Sequence, residues 1–296
     1  MKFPHLRRPS GGLQRRAVLA AALPLAMGLC GAAQAQEKSA MEKIRASGVL
    51  KIALYKDNEP YSDGSMAKMH GLDVSLGEAL AKALQLSPAL MPFDAGENMG
   101  DDLRNMVWKG HYLGYGPADV MLHVPVDKYF MSENRQAFIF APYTREHLVL
   151  LYKPAAAGAV DGADDLAGKR IAVEQGTGAS SAMLGYRGGM LSKGVALYKS
   201  GLDAAKDVVA GKADAAFVSL AQAEAALFQT QQERRDYAFT KLALPGVPPN
   251  GWALGLAVKA DNKELATLLD QAMDTLRSSG ELLKIFQAHG LTLSAP

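Results

Sequence analysis

The sequence is poor in cysteine: its 296 residues contain one, Cys30. That residue lies in an N-terminal stretch that reads as a removable leader. The exported chain would then carry no disulfide, no thiol nucleophile and no cysteine-based metal site. Basic runs are missing beyond the leader, which disfavours a nucleic-acid partner. No later segment reaches 18 apolar residues, the length a membrane-spanning helix needs. HExxH, P-loop, GxSxG and GxGxxG motifs are absent too. The histidines beyond the leader, His70, His111, His123, His147 and His289, are scattered without metal spacing. No metal and no cofactor is expected from them.

What is present begins with the leader. Lys2, Arg7, Arg8, Arg15 and Arg16 form a basic region without an acid. The apolar run Ala17–Leu29 follows, then Ala33-Gln34-Ala35 as a small-x-small cleavage site. This is the pattern of a secretory signal peptide over 1–35, with Gln36 first in the mature chain. Arg15-Arg16 is compatible with twin-arginine export, and ordinary unfolded export fits equally. Leu29 before Cys30 argues against a lipid anchor. The leader takes five of the 32 basic residues and none of the 30 acidic ones, so acids outnumber bases in what remains. A cysteine-free exported chain must rest on its core, and 49% hydrophobic composition supplies one.

Hydrophobic periodicity predicts an α/β chain. Strands are expected at 49–55, 87–91 and 119–124. Between them lie an amphipathic helix from Leu72 and a shorter one over 101–109. A second set follows Pro142: strands at 148–152, 169–173, 195–198 and 213–218, with helices from Ala179 and over 202–210. Pro245, Gly246, Pro248, Pro249 and Gly251 mark a break. A strand at 252–258 and two helices close the chain, the first opened by a capping-box-like Asp261 and Glu264. Two such sets with two crossings predict a two-lobe α/β fold with an interlobe cleft. The expected lobes are 36–145 plus 246–296, and 146–245, in a monomer.

Candidate site residues follow from strand ends and turns. His123 ends an apolar strand just before Pro125, an edge that often faces a crevice. Asp127, four residues on, is placed to orient its ring. His123 read as a hydrogen-bonded structural residue is the alternative. Gln175-Gly176-Thr177 sits between a strand and a helix, where backbone N–H groups suit a carboxylate. A simple cap by Thr177 or Ser180 is the competing reading. Tyr61, Tyr143 and Trp252 fit a cleft wall or a core, and Trp108 fits the core better.

Four stretches together resemble the periplasmic solute-binding proteins of the polar-amino-acid type, solute-binding family 3. They are Gly71–Leu76, Phe140–Tyr143, Asp165–Thr177 and Ala210–Ala215. The resemblance implies two α/β lobes that close on a small-molecule ligand, and a possible ABC permease as partner. It also implies a carboxylate-binding Arg and an ammonium-binding Asp. Here Glu133 stands in the first place, with Arg135 out of register, and Ser219 in the second. Asn58-Glu59 replaces an aromatic, and Gly176-Thr177 keeps its type. Losing both charged partners would leave a zwitterion buried and unpaired. A small, weakly charged solute or a partner segment is expected instead, held by Asn58, Tyr61, His123, Asp127, Tyr143, Gln175, Gly176, Thr177 and Ser219.

Asp119–Asp127, ending in Val124-Pro125-Val126-Asp127, resembles a branch of the fold whose members accompany periplasmic quinoprotein alcohol dehydrogenases, the methanol-dehydrogenase "J" accessory proteins among them. That resemblance implies a quinoprotein dehydrogenase as partner, or an accessory role in its maturation. Some relatives with this fold are dehydratases. Catalysis would need a converging acid/base pair, for which the sequence offers only Glu174, Asp127 and His123. A non-catalytic periplasmic binding protein is therefore expected.

Overall fold

Apolar runs and helical stripes settle into two five-stranded sheets in the computed structural model, which describes residues 39–296. The leader and its cleavage site lie outside the described residues. Helix α1 (Ala40–Ser47) starts from a Ser39 capping box. Strand β1 (Val49–Tyr55) follows, then the short hairpin β2 (Asp57–Asn58) and β3 (Ser62–Asp63). Next come α2 (Leu72–Ala83), β4 (Ser87–Phe93) and α3 (Met99–Leu103). α3 widens into a π-helical turn over Arg104–Trp108. Strand β5 (Val120–Pro125), α4 (Lys128–Glu133) and β6 (Ala137–Glu146) complete this part.

The second sheet starts at β7 (Leu148–Tyr152). It is followed by the single turn α5 (Pro154–Ala157), β8 (Ile171–Glu174), α6 (Gly178–Gly185) and β9 (Val195–Tyr198). α7 (Gly201–Val209), β10 (Ala215–Ser219), α8 (Leu220–Gln229) and β11 (Ala238–Thr240) finish it. The chain then returns to the first sheet as β12 (Trp252–Lys259), and α9 (Lys263–Ser278) and α10 (Glu281–Ala288) pack behind.

The first sheet runs β4-β1-β5-β12-β6 and the second β11-β7-β10-β8-β9. In each, parallel pairs made by helical crossovers meet antiparallel neighbours: β1 pairs parallel with β4 and β5, and β12 antiparallel with β5 and β6. The chain changes sheet at His147 and again between Thr240 and Trp252. One hydrophobic core runs through both sheets, from Leu50 and Leu72 to Val149, Val218 and Leu227.

The longest strand, β6, is one the sequence does not announce. Pro142 reads as a strand breaker, so the crossing is expected there; the strand instead continues to Glu146. Pro142 is tolerated because β6 is an edge strand and its pairing with β12 shifts register between Leu254 and Leu256. Its neighbour Ala141 takes a left-handed φ of 47° at this irregularity. The crossing therefore falls at His147. Directly opposite lies Gly251, φ 62°, where a Cβ would collide with the Glu146 carbonyl oxygen. The two crossings approach too closely for any other residue.

Helix α9 begins at Lys263, not with the expected box. Its N-cap is Asn262 without a side-chain bond, and Asp261 pairs with Lys259 at 2.9 Å instead. Its core stripe is Leu265, Ala266, Leu269, Ala272, Met273 and Leu276, with Leu268 only half-buried.

Candidate functional site

Strand ends from both sheets meet around a cavity of about 390 Å³. The C-terminal ends of the parallel strands supply His123 from β5, Glu174 from β8 and Phe217, Val218 and Ser219 from β10. This is where α/β sheets carry ligands, since the loops diverge there and leave a crevice. The hairpin loop adds Asn58, Glu59 and Tyr61; the crossings add Glu146, Leu148, Gly246, Val247, Pro248 and Trp252. The N-terminal turns of two helices add Thr177, Gly178, Ala179 and Gln222.

Of the sequence candidates, Asn58, Tyr61, His123, Thr177 and Ser219 line the cavity. Asp127, Tyr143, Gln175 and Gly176 do not. Asp127 is the N-cap of α4, its Oδ1 accepting the Phe130 N–H at 2.8 Å. A short side chain engaged in a cap cannot also orient a ring four residues back. Tyr143 is completely buried beneath the site. Gln175 is exposed, with its N–H bonded to the Tyr198 carbonyl at 2.9 Å, and Gly176 makes the left-handed turn at φ 75°.

His123 is held by Asp73, an acid from the first turn of α2. Its Nδ1 donates to Asp73 Oδ2 at 3.0 Å, and the Tyr143 hydroxyl donates to Asp73 Oδ1 at 2.7 Å. The Tyr61 ring packs on the imidazole at 4.4 Å between centroids, tilted by 61°. His123 also takes a left-handed φ of 65°, unfavourable for most side chains and held here by these contacts. It is thus both a wall of the cavity and part of a buried network. His123→Ala should cost about 1–2 kcal/mol, because Asp73 loses a donor inside the protein. Thermal melts should show it as a drop of several degrees; an unchanged melt would mean that the Asp73 contact carries no stability.

Ser219 caps α8, its Oγ accepting the Gln222 N–H at 3.2 Å while Gln222 Oε1 accepts the Ser219 N–H at 3.1 Å. Beside it lies the charge that the sequence comparison finds missing. Glu146, at the end of β6, is 4% exposed. Its Oε2 accepts the Tyr61 hydroxyl at 2.5 Å and its Oε1 the His147 N–H at 3.0 Å. Burial pushes its pKa up, opposed by bonds from Tyr61, His147 and Ser219 and by the nearby His123. An acid therefore does face the cleft beside Ser219, but from a different strand. Position-by-position reading misses it because Glu146 falls in the expected crossing, two residues before the strand of the second lobe. A buried acid at an interlobe crossing is the signal that could have found it.

Glu174 Oε2 is engaged too, accepting Gln222 Nε2 at 2.9 Å and the Gly201 N–H at 2.8 Å. At α6 the Thr177–Ser180 box closes on itself: Ser180 N–H donates to Thr177 Oγ1 at 3.2 Å, and Thr177 Oγ1 donates to the Glu174 carbonyl at 2.8 Å. The cap is real, and it leaves the N–H groups of Gly178 and Ala179, which have no intrahelical acceptor, at the cavity. One further donor waits there: Asn58 Nδ2 is buried without a hydrogen-bond partner. Glu133 and Arg135, in the place of the expected carboxylate clamp, are exposed outside the lining, Arg135 Nε donating to the Ser132 carbonyl at 3.1 Å. Among the described residues that line the cavity there is no lysine or arginine.

No protein-family profile matches the chain. The L-cystine-binding protein TcyJ of Escherichia coli (strain K12) is 24% identical over 285 residues, 95% of each chain. Among solved structures, the ancestral cationic amino acid solute-binding protein AncCDT-1 superposes with a TM-score of 0.64 at 18% identity, over 85% of this chain and 100% of that one. A polar amino acid ABC uptake transporter substrate-binding protein from Streptococcus thermophilus gives 0.64 at 18% identity, over 88% and 93%. An amino acid ABC transporter substrate-binding protein from Streptococcus pneumoniae, bound to L-arginine, gives 0.59 at 19% identity, over 86% and 100%. Identities this low speak for architecture alone: the chain has the two-lobed α/β fold of the type II periplasmic binding proteins.

Proposed function

We propose that this protein is a non-catalytic, exported solute-binding protein of the family 3 type, and that its solute is a small organic amine. One observation carries the reading. Glu59, Glu146 and Glu174 line the cleft, no lysine or arginine does, and beside the neutral polar groups of Asn58, Thr177, Ser219 and Gln222 and the ring of His123 the wall is apolar or aromatic, with Tyr61, Phe217 and Trp252. Such a cavity favours a cation with an apolar body, held by charge-assisted hydrogen bonds and ring faces. By their names TcyJ binds L-cystine and AncCDT-1 a cationic amino acid; both ligands have an ammonium group as well as a carboxylate, and the ammonium is the part this cleft suits. A ligand carboxylate would have only the Gly178 and Ala179 N–H groups and the Asn58 amide. Delivery to an ABC permease is the matching role, with export by the expected leader to the periplasm as its counterpart.

Catalysis is disfavoured by how the acids are used. Asp127 is spent on a cap and Glu174 on two structural donors, so neither acid that the sequence offers is free to act with His123 as an acid/base pair. The Asp119–Asp127 stretch suggests a quinoprotein dehydrogenase link. Apart from His123 it contributes nothing to the cavity lining, and no feature of the cleft favours that link.

The test is a calorimetric comparison of amino acids with their decarboxylated partners: L-arginine against agmatine, and L-cystine against cystamine. The amines should bind at least about tenfold tighter, a difference of about 1.4 kcal/mol. Tenfold preference for the amino acids would overturn the reading.

A further inference from the structure

We propose that Glu59, Asp63 and His70 form a site for a divalent transition-metal cation of the zinc type at the rim of the cleft. One ligand atom from each lies within 4.8 Å of the others. The sequence carries no metal motif here; the hairpin makes the cluster. Asp63 and His70 face each other across a two-residue bridge, Asp63 N–H donating to the His70 carbonyl at 2.9 Å and His70 N–H to the Asp63 carbonyl at 3.0 Å. Glu59 stands in the turn between β2 and β3, and the turn is tied to the start of α2. There, Leu72 N–H donates to the Pro60 carbonyl at 3.1 Å and Asp73 N–H to the Tyr61 carbonyl at 2.7 Å. Gly71 permits this approach: at φ 125° a Cβ would strike the Tyr61 carbonyl. The backbone under all three residues is thus fixed before any ion arrives.

The imidazole is set for ligation. His70 Nδ1 lies 3.0 Å from the Asp63 carbonyl oxygen, which can only accept, so Nδ1 carries the proton. The ring nitrogen left for a cation is then Nε2, in the arrangement by which a backbone carbonyl orients a ligating histidine. The charges are unbalanced: among the described residues neither Glu59 nor Asp63 has a Lys or Arg ion-pair partner. A separate cavity of about 160 Å³ opens beside them, lined by Glu59, His70 and His289. His289 is not counted among the ligands, because its Nε2 is paired with Ser75 Oγ at 3.0 Å. Two carboxylates and one imidazole suit a borderline cation better than calcium or magnesium, which prefer oxygen alone. Three protein ligands leave a position for water.

The site would act on the cleft. Glu59 lines both cavities. Tyr61, two residues on, carries the hydroxyl that covers Glu146. A bound ion would fix the side chains of Glu59 and Asp63 at the cleft rim and offset their two negative charges.

The measurement is titration of the untagged, chelator-stripped mature protein with zinc chloride at pH 7.5, by calorimetry and by competition with a metallochromic dye. One saturable site per chain is expected. His70→Ala and the double variant Glu59→Gln/Asp63→Asn should weaken it at least thirtyfold while circular dichroism and the melting temperature of the metal-free proteins stay unchanged. His111→Ala, in a different loop, should bind like the parent. No saturable site, retention of affinity within threefold in His70→Ala, or loss in His111→Ala instead would each overturn the proposal.

Discussion

Glu146→Gln should lower the affinity for an amine solute about 100-fold and leave the fold intact. Glu146 is buried at the crossing, and none of the residues lining its cavity is a lysine or arginine. Without ligand its carboxylate is stabilised only by neutral donors and by the neighbouring His123, and burial dominates, raising its pKa. A ligand ammonium would supply the missing positive charge. A hydrogen bond between charged partners in such a site contributes about 2–3 kcal/mol, which gives the 100-fold. Glutamine keeps the shape. Its carbonyl can accept the His147 N–H, and its amide can donate to Tyr61, whose hydroxyl also accepts. The pH dependence has a definite sign. A carboxyl whose folded pKa is raised contributes stability that is complete below its unfolded pKa and is lost as pH rises through the folded value. The ligand-free protein should therefore gain relative stability from this group in acid, while amine affinity weakens over the same range as Glu146 takes up its proton. Glu146→Gln should abolish both trends. Calorimetry with agmatine or cystamine at several pH values, with thermal melts of the free proteins, reads both. Parental affinity in the variant would remove Glu146 from the site.

The sequence was most legible where a single element is locally self-consistent. VLKIALY, LVLLY and VALY form strands at the residues expected, and the Leu72–Leu84 stripe forms α2. It was least legible where tertiary contacts override a local rule. Pro142 should end a strand and does not, because the edge position and the bulge remove the need for its N–H. That displaces the crossing to His147 and carries Glu146 into the cleft. Helix α8 was missed because Ala221–Ala226 gives little contrast between its faces, and its start is set by the Ser219 box. Ser219 lies at the cavity wall, but the charge beside it is long-range and leaves no trace in its sequence neighbours. His123 illustrates the same limit. The polar strand end marks the cleft, while its partner Asp73 lies 50 residues away and cannot be inferred from spacing.

Asp73→Ala should be the most destabilising of these changes, at about 3–5 kcal/mol. Asp73 is wholly buried in the first turn of α2. It accepts the Tyr143 hydroxyl at 2.7 Å and His123 Nδ1 at 3.0 Å, on separate oxygens. Removing it strands both donors inside the protein, at about 1–3 kcal/mol each. It also deletes a negative charge from the positive end of a helix, worth a further few tenths to 1 kcal/mol. Tyr143 has no escape to water, since its ring is completely enclosed, and Asp73 is a leading cause, after burial itself, of its raised phenol pKa. For a chain of this size each kcal/mol moves the melting temperature by about 2–4 °C, so a fall of about 10 °C is expected. Asp73→Asn keeps one carbonyl oxygen and should lose clearly less, while Tyr143→Phe removes one donor together with its need for an acceptor and should cost least. The effect should reach the cleft as well. His123 loses the bond that holds its left-handed backbone, and Tyr61, packed on the ring, loses its support over Glu146. Differential scanning calorimetry of the three variants gives the order. If Asp73→Ala melts within 2 °C of the parent, or Asp73→Asn melts below it, the buried acid does not hold the first lobe's cleft wall in the way its geometry indicates.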